Sequence, residues 1–216
     1  MQLEQYTPDA VCRALGLQGF NEPWQRGKPL RALRLLLQPS FSPECCIDIF
    51  EEADQTIVEL RVAHTHIWHL VAPRLVAVDR YRLVIAERME DIAASFRQVA
   101  VNPAHRVVML DGMPVHGVFR SPDETISTSD GPGKGTPFGD LISHLLNQMF
   151  AACDVASGRN AIAEVGKYVG LKLPQEAEPE RPVKTTITML GDVVEQEALL
   201  GALDAVSRRR LNQPID

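Results

Sequence analysis

The sequence predicts an α+β protein. Apolar residues alternate with period two from Leu30 to Val62, a second β-rich stretch runs over 106–128, and a wide apolar helical stripe follows at Leu141, Ile142, Leu145, Leu146, Met149 and Phe150. Over 216 residues, an apolar fraction of 45% and a charged fraction of 23% are those of a globular domain, which argues against disorder, collagen-like repeats and a disulfide scaffold. A chain of this length can bury a core without metal or disulfides.

Thr7-Pro8-Asp9 opens a short helix as N-cap, first-turn proline and early acid, and Gly16 closes it. Residues 18–29 gather glycine, asparagine and proline around Phe20 and Trp24, the pattern of an irregular loop held by its aromatics. Leu33, Leu35 and Leu37, then Cys45, Ile47 and Ile49, then Val58, Leu60 and Val62 form a three-stranded antiparallel meander with one strongly apolar face. A further strand covers 82–85, and 89–96 reads as helix, with Ile92 and Phe96 four apart.

Residues 106–110 and 115–120 flank Asp111-Gly112, a strong hairpin signal, and 124–128 can add a third strand to this second sheet. The helix over 141–150 comes next, then a second from Asn160 to about Val169 after the Ser157-Gly158 break. Residues 172–183 combine three prolines with three acids, which is linker chemistry. The expected organisation is therefore a body at 1–171, a linker at 172–183 and a β–α arm at 184–216. The arm has one strand and a helix with Leu199, Leu203 and Val206 on one side, too little for a core of its own, so it must dock on its own body or on a second copy.

A net charge of −6 gives no general pull toward nucleic acid, and Arg208-Arg209-Arg210 reads as a solvated helix end. Cys12, Cys45, Cys46 and Cys153 lack any Cys-x-x-Cys pair, and neighbours Cys45 and Cys46 on a strand point to opposite faces as small hydrophobes. The first residues lack the positive charge and apolar run of a signal peptide, and no stretch is long enough for a membrane helix. A cytoplasmic location is expected.

Gly131, Gly133, Lys134 and Thr136, just before a helix, offer the ingredients of an anion site, but Thr128 stands where a P-loop needs glycine, so a connector is the simpler reading. His64, His66 and His69 cluster, and on a strand His64 and His66 would share a face, yet no nearby acid or thiol completes a metal shell. Asp48, Glu51, Glu52 and Asp111 read as solvated acids or turn formers, and no nucleophile elbow is present. No cofactor, metal or catalytic residue is assigned.

The run Leu110-Asp111-Gly112, followed by Val115 to Phe119, a polar glycine-rich passage and an apolar-striped helix, resembles a loose group of uncharacterised bacterial α+β proteins with a Leu-Asp-Gly hairpin. The resemblance implies the two-region layout and no catalytic residues. The functional expectation is a non-enzymatic intracellular bacterial protein-binding module of immunity or accessory type. Phe20, Trp24, Leu199, Leu203 and Val206 are its candidate contacts, with a possible homodimer through the arm. The alternative is an enzyme for a phosphate or nucleotide ligand built on the loop at 130–136.

Overall fold

Alternation of apolar and polar residues builds the centre of the molecule as the pattern predicts. The computed structural model describes residues 6–22, 31–67, 74–101, 112–133, 135–176 and 185–190. In it β1 (Ala32–Leu37), β2 (Cys45–Glu52) and β3 (Gln55–Ala63) pair antiparallel in chain order, with Leu35 opposite Ile47 and Ile47 opposite Leu60. Ala53 and Asp54, at φ of 48° and 62°, make the tight turn between β2 and β3. Two left-handed residues in succession give a hairpin turn whose twist matches its strands.

β4 (Arg74–Ile85) continues the meander on β3 and begins well before the predicted start at 82. Asp79, Arg80 and Arg82 hide its β character in the sequence, while partners such as Glu59, opposite Arg82, and His64, paired with Asp79, accept them. The last strand, β7 (Thr185–Leu190), pairs antiparallel with β4 of the same chain. The remainder of the predicted arm, Lys184 and 191–216 with Leu199, Leu203 and Val206, lies outside the described residues, as do 177–183 of the linker. The near end of the linker is held on the body. Glu176 N donates to Asn160 Oδ1 at 2.7 Å, and its carboxylate meets Arg159 at 2.8 Å.

The second β region does not form a sheet of its own. β5 (Val115–Arg120) pairs antiparallel with the free edge of β1, and β6 (Thr125–Asp130) pairs with β5. The described strands thus make one seven-stranded antiparallel sheet in the order β6-β5-β1-β2-β3-β4-β7. The reason lies in β1, whose six residues are all buried. A strand covered on both faces belongs at the middle of a sheet, with a partner along each edge. Residues 106–111 of the predicted hairpin lie outside the described residues.

Helices cover both faces, in keeping with the α+β class. α2 (Met89–Val101), α3 (Pro137–Ala152) and α4 (Ala156–Gly166, ending in a 3₁₀ turn at Lys167–Val169) pack on the face carrying Leu33, Leu35, Ile47, Val58 and Leu60. α1 (Pro8–Ala14) packs on the other, where Val11, Cys12 and Leu15 meet Leu36, Cys46 and Val78. Thr7 caps α1 by accepting from Ala10 N. Two glycines permit the close packing on the larger face. A Cβ on Gly117 would stand 2.5 Å from the Phe96 ring of α2. One on Gly158 would stand 2.7 Å from Cys153 Sγ and 2.9 Å from the Tyr81 ring. α4 accordingly starts at Ala156 and runs through the predicted Ser157-Gly158 break, because this glycine lets the helix approach its neighbours. Among the described residues no helix is long and apolar enough to cross a membrane.

Candidate functional site

The charged residues of β1–β4 line up on the α1 face of the sheet. Arg34, Asp48, Glu59 and Arg82 stand in register across four strands, a row of one cation, two anions and one cation. Arg34 is 1% exposed and forks onto Asp48, Nε to Oδ1 at 2.7 Å and Nη2 to Oδ2 at 2.8 Å. Burial works against the charge on Arg34, but the paired bonds and the Asp48 charge outweigh it and hold its pKa above the ordinary value. Asp48, a candidate solvated acid in the sequence, is instead the buried partner of this pair.

Arginines of this face also fix the segment after α1. Arg61 Nη1 donates to Leu15 O and Gly16 O at 3.1 and 2.9 Å, Arg34 Nη1 to Gln18 O at 3.0 Å, and Arg120 Nη2 to Phe20 O at 2.9 Å. Cations placed at the carbonyl end of a helix complement its dipole. Phe20 therefore does not project as an exposed aromatic. Its ring is buried edge-to-face on His116 with centroids 6.1 Å apart, flooring a 260 Å³ cleft with Ser127, Thr128 and Ser129. Burial lowers the pKa of His116, whose Nδ1 lies 2.9 Å from Ser129 Oγ. Trp24 lies outside the described residues.

The glycine-rich loop is organised as a helix cap. Thr136 is the N-cap of α3, its Oγ1 accepting from Gly139 N at 3.0 Å and donating to Gly133 O at 2.9 Å. Gly131 N donates to its neighbour's carboxylate, Asp130 Oδ1, at 2.7 Å. Gly139 is needed here, since a Cβ would meet Gly133 O at 2.0 Å. These described groups already have partners within the loop and cap. Lys134 lies outside the described residues.

His64 and His66 follow β3, past the alternation that would put them on one strand face. His64 Nε2 pairs with Asp79 Oδ1 at 2.8 Å across to β4. The segment is anchored by Glu44, fully buried, which accepts from Ile67 N at 2.7 Å and Tyr6 Oη at 2.6 Å. Burial and Glu44 together raise the Tyr6 pKa. Among the described residues no group of three His, Cys, Asp or Glu side chains could hold a metal ion, and His69 is outside them. The four cysteines are buried free thiols, Cys45 and Cys46 on opposite faces of β2. Burial pushes the Cys45 thiol up to about 12, so it stays protonated and unreactive.

Two further features are not among the residues singled out from the sequence. Glu87 Oε2 lies 2.7 Å from both His144 Nε2 and Gln148 Nε2, beside a 420 Å³ cleft between α2 and α3 lined by Ser95, Val99, Asp140 and Leu141. Only the i, i+4 spacing of His144 and Gln148 hints at it. The second is Phe41, 71% exposed in the connection between β1 and β2. Its backbone is tied on both sides. Phe41 N donates to Tyr168 Oη at 2.9 Å, and Ser42 Oγ lies 3.3 Å from the same oxygen. Ser40 N and Oγ both donate to Gly112 O, at 2.9 and 2.8 Å. A large apolar ring is thus presented to solvent from a loop that does not need to be ordered first.

No protein-family model matches this chain, no curated protein matches it, and no solved structure matches its fold.

Proposed function

We propose that this chain is a non-enzymatic protein-binding module of accessory or immunity type, with Phe41 as an anchor for its partner. The observation that carries the reading is the exposure of that ring on a loop fixed through Ser40, Ser42 and Tyr168. Interface hot spots are enriched in large rings that enter a partner's pocket, and preorganisation lowers the entropy cost of binding. The phosphate-ligand alternative has less support, because Gly131 N and the Thr136 hydroxyl are already engaged in the loop and helix cap.

The test places a photo-crosslinking phenylalanine analogue at position 41 of the full chain and, separately, at position 101. Val101 is also strongly exposed, at the end of α2. Irradiation in lysate is expected to give one discrete adduct from position 41 and none from position 101. Equal and diffuse labelling from both positions would contradict the reading.

A further inference from the structure

The β3–β4 ladder sets Arg61 directly opposite Arg80 on the α1 face. Like charges in directly opposed positions destabilise a ladder unless something compensates them. Arg61 is compensated by the carbonyls of Leu15 and Gly16 at the end of α1. Among the described residues Arg80 has Glu59 alone, Nη2 to Oε1 at 2.6 Å, and Arg82 draws on the same oxygen at 3.2 Å. One nearly buried carboxylate thus serves Arg80 and Arg82, whose side chains are 36% and 48% exposed, while its other oxygen lies 4.0 Å from Arg61 Nη2. The other amino group of Arg82 reaches Glu52.

Apolar surface adjoins these cations. The Arg82 guanidinium lies 5.7 Å from the centroid of the Phe50 ring, and Val84, further along the same face of β4, is 51% exposed. With Arg61 included, three arginines stand against two carboxylates, Glu59 and Glu52, so this strip carries one surplus positive charge in a chain whose net charge is −6. An opposite charge arriving there would give Arg80 a carboxylate it does not share and ease its repulsion with Arg61.

We propose that this strip of β3 and β4 docks an acidic, amphipathic peptide segment of a partner protein. Carboxylates of the segment pair with Arg80 and Arg82, and its apolar side chains cover Val84 and Phe50. The inference rests on the protein-binding reading but uses a surface other than Phe41.

The experiment is fluorescence anisotropy of the full chain with a labelled peptide of glutamate and leucine. A peptide of lysine and leucine and free inorganic phosphate serve as comparisons. The acidic peptide is expected to bind, with affinity falling as salt rises. Arg80→Gln is expected to weaken it about tenfold or more, while Arg88→Gln, just before α2 and paired with Asp91 in its first turn, leaves it unchanged. Val84→Asp places a repelling charge on the strip and is expected to abolish binding even if Arg80→Gln does not fold. Equal binding of the lysine peptide, displacement of the acidic peptide by equimolar phosphate, or undiminished affinity in folded Arg80→Gln or Val84→Asp would overturn the proposal. Failure here with a discrete adduct from position 41 removes this surface alone, whereas failure of both removes the protein-binding reading.

Discussion

Arg34 and Asp48 hold each other by two parallel hydrogen bonds, 2.7 and 2.8 Å long, between neighbouring strands at the middle of the sheet. Removing one partner strands the other as an uncompensated buried charge. Asp48→Ala is expected to destabilise the chain by about 3–5 kcal/mol in urea unfolding. Arg34→Met combined with Asp48→Leu should cost clearly less than Asp48→Ala alone, since the pair's own desolvation is then also removed. A double variant as unstable as the single would show that the Arg34 contact to Gln18 O dominates.

The turn at Ala53-Asp54 points the other way, toward a gain. Both residues hold left-handed backbone, which costs a non-glycine residue on the order of 1 kcal/mol. Asp54→Gly is expected to raise unfolding stability by up to about 1 kcal/mol, the turn preference outweighing the greater freedom of glycine in the unfolded chain. An unchanged or lower urea midpoint would count against this.

His116 supplies a pH dependence. Burial lowers its pKa from 6.5, so the folded chain takes up this proton less readily than the unfolded one. Below about pH 6.5 the unfolded state binds more protons, and stability falls as pH drops toward the folded pKa. Well above pH 6.5 both states are neutral at this position and the effect vanishes. His116→Gln is expected to reduce the loss of stability between pH 7.5 and pH 5.5, read as the difference in urea midpoints. An identical loss in both chains would remove His116 as the source.

The meander was readable because Leu33 to Leu37, Cys45 to Ile49 and Val58 to Val62 each keep an apolar residue at every second position, and α1 because Thr7, Pro8 and Gly16 mark its ends. The start of β4 was hidden by Asp79, Arg80 and Arg82, whose partners come from β3. The union of both β regions into one sheet depends on the distant pairing of Leu35 with Gly117, which leaves no local pattern. The candidate contacts diverged for the same reason. Phe20 sits in a polar loop that suggests exposure, but Arg120 and His116 from β5 bury it. Phe41 is a single ring between serines, without periodicity, and only Tyr168 and Gly112 show how firmly its loop is held.

The most direct measurement compares the wild-type chain with Phe41→Ser, for urea midpoint and for affinity toward the protein cross-linked from position 41. Because the ring makes little of the core, the stability of the variant is expected to stay within about 0.5 kcal/mol of wild type. Its affinity is expected to fall at least about tenfold. Equal affinity at equal stability would show that Phe41 is not the anchor.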